Sequence, residues 1–517
     1  MTTPLVEVPA QFNAATFFVD RHLAEGRGER PAFIHETGTL TYAGLQELVN
    51  RTGNALLGLG VEREQRVLLL LLDSPAFLGT FWGAIKIGAI PIPTNTLLRP
   101  QDYLYFLEDS RAKALVVSEA LVPAIEPILG QARHLRHVIV DGAAGPGRHS
   151  FERLVARAPA SLEAVECSRD EPAFWMYSSG STGFPKGAVH LQHDMVVCSD
   201  TYALQVLGMT EADRTLSAAK LFFAYGMGNT MYFPMRVGGQ GVLYPHRPTP
   251  EAMFEQIAQH RPTIFFGIPT LYASMLQVKD AEKRFDCSSL RLCVSAGEAL
   301  PEELYKRWRE RFGTEVLDGI GTTEILHIFL SNRAGETRPG STGKVVPGYE
   351  AIVVDDAGQP VPTGEIGNLR VKGDSTMAYY WNQHEKTKAC LLGEWIQTGD
   401  KYYQDADGYF WYCGRADDML KVGGIWVSPV EVEATLIAHP AVLETAVVGA
   451  EDADRLVKPK AFVVLKDGQV PSPALEADIK AFVKDKIAPY KYPRWIEFVA
   501  ELPKTATGKI QRFKLRA

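Results

Sequence analysis

A run rich in serine, glycine and threonine lies between two apolar segments of this 517-residue chain. Its residues are Ser178, Ser179, Gly180, Ser181, Thr182, Gly183, Phe184, Pro185, Lys186 and Gly187. The flanking residues 173–177 and 188–191 have the apolar character of buried strands. Because small residues let backbone N–H groups approach an anion closely, a loop pinned between two strands would hold a polyphosphate. The residue order excludes the loop of nucleotide triphosphatases, which needs Gly-Lys followed by Ser or Thr.

Length and composition indicate a globular protein of several domains. Single hydrophobic cores stop growing at roughly 250 to 300 residues, so a chain of 517 residues predicts more than one domain. Apolar residues make up 46% of the chain and charged residues 22%, and no segment approaches the ~18 uninterrupted apolar residues of a membrane span. The first residues lack a basic region ahead of an apolar core. We therefore expect no secretory signal, a cytoplasmic location and no membrane partner.

The net charge and the cysteines argue against several kinds of partner. A formal net charge of −7 disfavours nucleic-acid binding, which usually needs a basic face. A polyanionic ligand must therefore find a local group of cations, for which Lys186, Arg415 and Lys509 are candidates. Six scattered cysteines without a Cys-x-x-Cys pair argue against a zinc site and against a disulfide framework. We expect reduced, structural thiols.

Strand-like and helical runs alternate along the chain, which predicts an α/β fold. Residues 67–72 and 114–117 have strand character, whereas residues 301–312 have the spacing of a helix. Near the other end, the sequence Ser-Pro-Val-Glu at residues 428–431 predicts a helix start with a capping box. The polar, glycine-led segment 414–418 before it predicts a domain boundary.

Further stretches, taken in order, resemble the acyl-adenylate-forming superfamily of acyl-CoA and aryl-CoA synthetases, peptide-synthetase adenylation domains and beetle luciferases. Besides the loop they are residues 295–299, 318–324, 398–400, 414–417, 421–424 and Lys509. Residues 220–226 and 325–329 are most similar to benzoate-CoA ligases. The resemblance spans nearly the whole chain. It implies a large, multi-subdomain adenylate-forming domain over residues 1–416 and a small, mobile α+β domain over residues 417–517.

The resemblance implies two half-reactions with ATP, Mg²⁺ and coenzyme A. An aromatic carboxylate, benzoate or a close analogue, would attack the α-phosphate of ATP to give an acyl-AMP and pyrophosphate. The thiol of coenzyme A would then displace AMP to give a thioester. Since the first step joins two anions, which repel by about 4 kcal/mol at ~4 Å and an effective dielectric of ~20, the site must supply cations.

The resemblance also implies roles at the nucleotide. Lys509 would bridge the carboxylate and the phosphates, Glu324 would hold Mg²⁺, and Thr182 and Lys186 would assist at the phosphates. Asp400 and Arg415 would bind the ribose. The residues expected to bind nucleotide are Ser178, Ser179, Gly180, Ser181, Thr182, Gly183, Lys186, Gly297, Glu298, Ala299, Asp318, Gly319, Ile320, Gly321, Thr322, Thr323, Asp400, Arg415 and Lys509. Ile320 stands where relatives often place an aromatic residue on the adenine.

For the acid, the family resemblance implies a short apolar pocket lined by Ala224, Tyr225, Gly226, Gly321, His327 and Ile328. Ala224 and Gly321 would leave room for a planar ring, and Tyr225 and Ile328 would press on its faces. His327 would either hydrogen-bond a ring substituent or close the pocket. The sequence does not separate benzoate from 2-aminobenzoate, hydroxybenzoates, halobenzoates or heteroaryl acids.

The same resemblance implies a hinge at Asp417 and a passage for the thiol-bearing arm beside Gly423 and Gly424. Tyr490, Lys491 and Arg99 are candidates for contacts with the coenzyme A nucleotide. The sequence does not determine an oligomeric state, and a homodimer stays open.

Three other functions stay open at this point. The acyl group could pass to a carrier protein, although no carrier domain follows in this sequence. A non-catalytic sensor of aryl acids could retain the fold, against which the residues Lys509, Glu324 and Asp400 argue. An oxidative enzyme of the luciferase kind would share the first half-reaction.

Overall fold

The computed structural model describes residues 6–178, 185–422, 425–452, 456–504 and 510–516. Within these ranges, helices and strands alternate through a large N-terminal body and continue into a smaller C-terminal body. The predicted α/β class, with a small α+β unit at the C-terminal end, is confirmed.

The first part of the chain builds a parallel sheet with helices against it. The helices are Arg21–Ala24 (α1), Tyr42–Gly58 (α2), Pro75–Lys86 (α3), Pro100–Ser110 (α4), Val122–Ile125 (α5) and Phe151–Arg157 (α6). The strands are Pro31–His35 (β1), Gly38–Thr41 (β2), Arg66–Leu70 (β3), Ile90–Pro93 (β4), Ala114–Ser118 (β5), His137–Asp141 (β6) and His149–Ser150 (β7). The last five strands pair in parallel in the order β4-β3-β5-β6-β7. The two strands predicted at residues 67–72 and 114–117 are confirmed as β3 and β5.

The middle of the chain supplies seven strands of a nine-stranded sheet, which β1 and β2 complete, and two further strands, β8 and β9. The strands are Pro172–Ser178 (β8), Lys186–Leu191 (β9), Arg214–Ser217 (β10), Gln240–Val242 (β11), Ile264–Gly267 (β12), Leu292–Ser295 (β13), Val316–Gly321 (β14), Ile328–Ser331 (β15) and Lys344–Val345 (β16). The helices are Asp194–Cys198 (α7), Ala224–Met227 (α8), Phe233–Val237 (α9), Pro250–His260 (α10), Pro269–Met275 (α11), Ala281–Arg284 (α12) and Glu302–Phe312 (α13). The sheet order is β16-β15-β14-β13-β12-β10-β11-β1-β2, while β8 and β9 form a separate hairpin. The predicted helix at residues 301–312 is confirmed as α13.

Strands β14, β13, β12, β10, β11 and β1 run parallel, so their carboxyl ends lie along one edge of the nine-stranded sheet. The interior strands are buried on both faces, as their apolar residues require. Ligands of α/β proteins bind along such an edge, because loops with accessible backbone follow each strand there.

The next segment forms a mostly antiparallel sheet. Its elements are Glu350–Val354 (β17), Gly367–Lys372 (β18), Tyr379–Tyr380 (β19), His384–Cys390 (α14), Leu391–Leu392 (β20), Trp395–Gln404 (β21), Phe410–Arg415 (β22), Leu420–Val422 (β23) and Ile425–Val427 (β24). The sheet order is β17-β18-β21-β20, with β22 also on β21 and with β23 and β24 forming their own hairpin. Strand β19 leaves this sheet and pairs with β9.

The C-terminal body has its own buried core. Its elements are Pro429–Ile437 (α15), Val442–Glu451 (β25), Val457–Leu465 (β26), Pro473–Lys486 (α16) and Trp495–Phe498 (β27). Val432 and Leu436 of α15 pack with Val447 of β25, Ala461 of β26 and Ile479 of α16. A separate apolar cluster is typical of a domain, and the boundary between residues 416 and 417 stays a prediction.

The predicted helix start at Ser428 is confirmed, but the capping box is wrong. The Ser428 hydroxyl accepts a hydrogen bond from the Glu431 backbone N–H at 3.1 Å, and Pro429 takes the first helical position. The Glu431 carboxylate does not return to the cap. It pairs with Lys491 at 2.6 and 2.7 Å, because an ammonium group is a stronger partner for a carboxylate than a backbone N–H.

All six cysteines are free thiols in the structure. Among the described residues, α2 is the longest helix, with 17 residues. No helix in this part of the chain has the length and apolar character needed to cross a membrane.

Candidate active site

The site forms where strands β13 and β14 end. Strand β13 ends at Ser295 and β14 at Gly321, and both strands are buried through most of their length. The residues that follow are partly accessible, among them Glu298 after β13 and Thr322 and Glu324 after β14. The motifs predicted to bind nucleotide therefore lie at the carboxyl edge of the parallel strands.

The hairpin of β8 and β9 brings the phosphate loop to this edge. Ser178 and Lys186 are register partners at the end of the hairpin where the loop connects its two strands. The predicted nucleotide-binding residues Ser179, Gly180, Ser181, Thr182 and Gly183 lie outside the described residues. Ser178 is described, and its hydroxyl donates to Glu324 Oε1 over 3.2 Å.

Glu324 is held by its side chain and by its backbone. Its Oε1 accepts from the Tyr380 hydroxyl at 2.7 Å, in addition to the bond from Ser178. Its carbonyl accepts from the Met377 backbone N–H at 2.7 Å. Lys186 Nζ donates to the same Tyr380 hydroxyl at 3.2 Å and lies 4.4 Å from the centre of its ring. The structure thus joins Ser178, Lys186 and Glu324 into one polar cluster.

Tyr380 was not found from the sequence. Burial and the neighbouring carboxylate of Glu324 raise the pKa of Tyr380 above its ordinary value, so the hydroxyl keeps its proton and donates it. A lone tyrosine in a two-residue strand has no sequence pattern of its own. The pairing of β19 with β9, with Tyr380 opposite Ala188, brings it to the site.

His190 is a second residue that sequence reasoning missed. It is fully buried, and its Nε2 lies 2.7 Å from the Thr323 carbonyl oxygen. Its Nδ1 lies 2.7 Å from Asp194 Oδ2. These two contacts tie the turn before Glu324 to helix α7. The neighbouring Thr322 hydroxyl is buried and has no hydrogen-bond partner among the described residues.

The oxygen donors of this cluster suit Mg²⁺. Magnesium is commonly held by one or two carboxylates together with substrate phosphates. The described residues contain no group of three or more His, Cys, Asp and Glu side chains able to hold a metal by themselves. The hydroxyls of Ser178 and Tyr380 both donate to Oε1 of the Glu324 carboxylate. The site therefore fits a Mg²⁺ ion that Glu324 would hold together with the phosphates of a nucleotide.

Asp400 and Arg415 face each other across strands β21 and β22. Arg415 donates to Asp400 Oδ1 at 3.0 Å and to the Thr398 carbonyl at 3.1 Å. Gly399 has φ of +79°, and an added Cβ there would lie 3.0 Å from the guanidinium group. Burial opposes the charge of Arg415, but Asp400 and, more weakly, Glu324 offset this effect, so the pKa of Arg415 is raised. The predicted ribose pair thus lies within electrostatic range of Glu324.

The residues predicted to form the adenine slot lie in the turn after β13 and along β14, and their role stays a prediction. Gly297 adopts a left-handed conformation with φ of +94°, next to the half-buried Glu298 and Ala299. The Asp318 side chain is 5% exposed, and burial raises its pKa well above the ordinary value. An added Cβ on Gly319 would lie 2.9 Å from the Leu330 carbonyl oxygen, so strand pairing requires this glycine. Ile320 is half-buried and packs against the main core.

His327 is the centre of the predicted acid pocket. It is 2% exposed, and its Nε2 lies 3.3 Å from the Tyr225 carbonyl oxygen and 3.2 Å from Asn229 Oδ1. Both partners accept, so Nε2 carries the proton. Nδ1 is then an acceptor, buried and without a partner among the described residues. Burial lowers the pKa of His327 to about 3, which keeps the ring neutral.

Aromatic rings and glycines surround His327. The nearest rings are Phe233 at 4.4 Å and Tyr202 at 5.5 Å between centroids. An added Cβ on Gly228 would lie 2.5 Å from His327 Cδ2. Asn229 and Gly228 were missed from the sequence, because a glycine and an asparagine inside an apolar helix do not identify their neighbour.

Three residues predicted to line the acid pocket also have structural roles. An added Cβ on Gly321 would lie 2.5 Å from the His327 carbonyl oxygen, so backbone packing also requires this glycine. That it leaves room for a ring stays a prediction. Gly226 is equally enclosed, because an added Cβ there would lie 2.1 Å from the Lys220 carbonyl oxygen. The Tyr225 hydroxyl donates to the Gly267 and Val294 carbonyls, both at 3.3 Å, so its ring is fixed against β12 and β13. Ala224 is half-buried, and Ile328 is buried in β15.

The C-terminal body reaches the site through Ile510. Its backbone N–H donates to Glu298 Oε1 at 3.2 Å, and Ile510 also forms an isolated β-bridge with Lys504. Lys509, the predicted catalytic lysine, lies outside the described residues. The exposed turn that contains Asp417 contacts the C-terminal end of the chain, where Arg516 donates to the Asp417 carbonyl at 3.0 Å.

The remaining candidates for coenzyme A lie in different parts of the chain. Gly423 and Gly424 lie outside the described part of the chain. Lys491 is paired with Glu431, and Tyr490 packs against the C-terminal core. Arg99 is exposed at the start of α4, where its backbone N–H donates to Asp102 at 3.0 Å. Among the described candidates, the Lys491 ammonium group lies 5.8 Å from the centre of the Tyr490 ring.

Comparisons with known proteins agree with this geometry. The family described as AMP-binding enzyme matches residues 20–381, and its C-terminal domain matches residues 431–509. A benzoate–CoA ligase of Thauera aromatica is 52% identical over 100% of this chain and 98% of its own length. An anthranilate CoA ligase solved with anthranoyl-AMP superposes with a TM-score of 0.95 at 48% identity, covering 98% of this chain and 97% of its own.

A benzoate CoA ligase from Burkholderia xenovorans LB400 superposes with a TM-score of 0.92 at 48% identity. The match covers 98% of this chain and 100% of that chain. These matches extend over both bodies and over every element that builds the site. The chain therefore belongs to the AMP-binding enzyme family.

Proposed function

We propose that the protein is an AMP-forming aryl-CoA ligase. It activates benzoate or a close aromatic analogue with ATP, giving the aryl-AMP and pyrophosphate, and then transfers the aryl group to coenzyme A. The observation that carries this proposal is the convergence at one sheet edge of Ser178, Lys186 and Glu324 with the Asp400–Arg415 pair. Relatives that match the chain over its full length and carry aryl-CoA ligase names support it.

In the first half-reaction the chain holds a triphosphate and a carboxylate close together. Lys186 supplies a positive charge at the phosphate loop, and Arg415 supplies a second near Glu324. The two Asp400 oxygens accept from the ribose hydroxyls, for which a carboxylate is suited. Mg²⁺ held by Glu324 would neutralise phosphate charge. Lys509 is proposed to add a further cation between the carboxylate and the α-phosphate.

The contact of Ile510 with Glu298 supports this assignment of Lys509. It fixes the residue after Lys509 against the turn that follows β13, on the nucleotide side of the sheet edge. This contact is the observation that supports a role for Lys509 at the reacting groups. A preorganised charge at the atoms that react commonly contributes about 10²- to 10³-fold to the rate.

The acid pocket favours a flat, uncharged ring. The neutral His327 and the aromatic side chains around it offer an apolar wall to the substrate ring, at a depth limited by the buried Ile328. Aromatic contacts of this kind add about 0.5–1.5 kcal/mol beyond area burial. A long acyl chain would leave these contacts unmade.

In the second half-reaction the thiol attacks the carbonyl of the aryl-AMP, and AMP leaves with the electrons of the broken C–O bond. We place the pivot for this step at Asp417, in the exposed turn between β22 and β23. Rotation there would break the Ile510–Glu298 contact, withdraw Lys509 and bring residues 423–424 to the site.

A panel of acids tests the proposal directly. The protein would be incubated with ATP, Mg²⁺ and each of benzoate, 2-aminobenzoate, 4-hydroxybenzoate, a halobenzoate and octanoate, with and without coenzyme A. We expect pyrophosphate release with aromatic acids and thioester formation when coenzyme A is present, also without oxygen. Pyrophosphate release without a thioester would favour a carrier protein as acceptor. No release with any acid would favour a sensor, and a need for oxygen would favour an oxidative enzyme.

A further inference from the structure

We propose that Tyr380 is a positioning residue that holds Glu324 and Lys186 apart and in place for the nucleotide. The inference rests on the proposed function, because it assumes that both charged groups serve the triphosphate. Tyr380 is 3% exposed, and its hydroxyl lies between them, 2.7 Å from Glu324 Oε1 and 3.2 Å from Lys186 Nζ.

The hydrogen-bonding capacity of a phenol matches this arrangement. A tyrosine hydroxyl has one proton to donate and lone pairs with which to accept. Tyr380 donates to the carboxylate and accepts from the ammonium group, so one atom orients both charged side chains. The ammonium group also lies over the tyrosine ring, which attracts a cation.

The backbone around Tyr380 is fixed from several sides. Its N–H donates to the Thr387 hydroxyl at 3.0 Å. The adjacent Trp381 N–H donates to the Gly187 carbonyl at 2.8 Å, and the Ala378 N–H donates to the Val189 carbonyl at 2.9 Å. Strand β9 follows directly from the phosphate loop and begins at Lys186. The backbone that carries Tyr380 is therefore bonded to the same strand that positions Lys186.

The hydroxyl also prevents a direct ion pair. Lys186 and Glu324 carry opposite charges on either side of one oxygen atom, and the structure records no contact between the two charges themselves. Without the hydroxyl, the ammonium and the carboxylate would attract each other across the gap. A direct pair would compete with the phosphates for Lys186 and with the magnesium ion for Glu324.

The test compares Tyr380→Phe with Tyr379→Phe in the full-length protein. Tyr379 is the other residue of β19, and its side chain is 37% exposed. Binding of α,β-methylene-ATP is measured by calorimetry with Mg²⁺ and with EDTA. We expect Y380F to weaken binding about 10-fold or more with Mg²⁺ and by less than 3-fold with EDTA, and Y379F to match the wild type in both.

A kinetic measurement separates positioning from general damage. Aryl-acid-dependent pyrophosphate release should fall about 10- to 100-fold in Y380F, with the larger part in the apparent KM for MgATP. Thioester formation from supplied benzoyl-AMP and coenzyme A should change by less than 3-fold. Since that second reaction needs the same folded protein, it reports any loss of fold.

Each outcome decides one question. Equal losses of Y380F in both half-reactions, equal binding in Y380F and Y379F, or a loss that does not depend on Mg²⁺ would overturn the role of Tyr380. If the wild type releases no pyrophosphate with any aromatic acid, the proposed function fails instead. In a double-mutant cycle with Glu324→Gln, the predicted losses are not additive, because both changes remove the same contact.

Discussion

The backbone N–H of Ile510 donates to the Glu298 carboxylate over 3.2 Å, and this bond joins the C-terminal body to the turn after β13. The half-buried Glu298 belongs to the predicted adenine slot. One side chain thus contacts the segment that carries Lys509 and borders the nucleotide site. The contact is therefore expected to matter for adenylation and to break when the C-terminal body turns.

Replacing Glu298 by alanine should slow aryl-AMP formation by about 10-fold, because a hydrogen bond to a charged group contributes about 1.5–3 kcal/mol and this one is partly exposed. Single-turnover pyrophosphate release measures the effect. The control is Glu302→Ala on the surface of α13, where the carboxylate pairs with Lys306 on the same helix. If Glu298→Ala slowed thioester formation from supplied aryl-AMP as much as adenylation, the contact would not be specific to the first step.

Replacing Asp400 by asparagine should raise the KM for ATP by about 10- to 100-fold and leave the KM for the acid within 3-fold. The change removes one of two acceptors for the ribose hydroxyls and the charge that faces Arg415 at 3.0 Å. Initial rates at varied ATP check this. Asp356→Asn, whose side chain is 89% exposed beside Lys401, is the control. An unchanged KM for ATP would remove Asp400 from the ribose site.

The pKa of about 3 for His327 predicts a pH-dependent stability. Between pH 6.5 and 3 an unfolded histidine binds a proton that the folded one excludes, so acid favours unfolding. At pH 5 this term amounts to about 2 kcal/mol for one histidine. The melting temperature of His327→Phe should therefore fall less between pH 7 and pH 5 than that of the wild type. Exposed His134 provides the control, His134→Gln, and equal slopes in all three proteins would contradict the neutral buried ring.

Replacing Gly228 by alanine should displace His327, since the new methyl group would lie 2.5 Å from its Cδ2 and 2.9 Å from the Tyr232 hydroxyl. We expect the KM for the aromatic acid to rise about 10-fold or more while the KM for ATP stays within 3-fold. Gly58→Ala at the end of α2 is the control, because no atom lies within 4 Å of its added Cβ. A normal KM for the acid in Gly228→Ala would place the substrate ring elsewhere.

Local sequence patterns predicted the helices and strands that depend on residues close together in the chain. Strands β3 and β5 and helix α13 follow from runs of apolar residues and from the spacing of apolar and charged ones. The helix start at Ser428 follows from its own hydroxyl and the next proline. The partner of Glu431 does not, since Lys491 lies 60 residues away and reaches it through the tertiary fold.

The residues of the candidate site likewise fall into two groups, those that lie in sequence motifs and those that only the tertiary fold brings to the site. Ser178, Lys186, Glu324, Asp400 and Arg415 lie in motifs that resemble a family, and the structure brings them to one edge. Tyr380 and His190 come from β19 and β9, and strand pairing alone places them beside that edge. The glycines show a further limit. The sequence identified Gly321 as a small residue but did not reveal that the His327 carbonyl fills the space beside it.

The most direct test of the aryl-adenylate mechanism uses benzoate labelled with ¹⁸O in both carboxylate oxygens. The protein is mixed with labelled benzoate, ATP, Mg²⁺ and coenzyme A, and AMP and pyrophosphate are analysed by mass spectrometry. If the carboxylate attacks the α-phosphate, each AMP carries one ¹⁸O and the pyrophosphate carries none. Unlabelled AMP, or label in the pyrophosphate, would contradict the mechanism that the sheet-edge cluster and the C-terminal contact support.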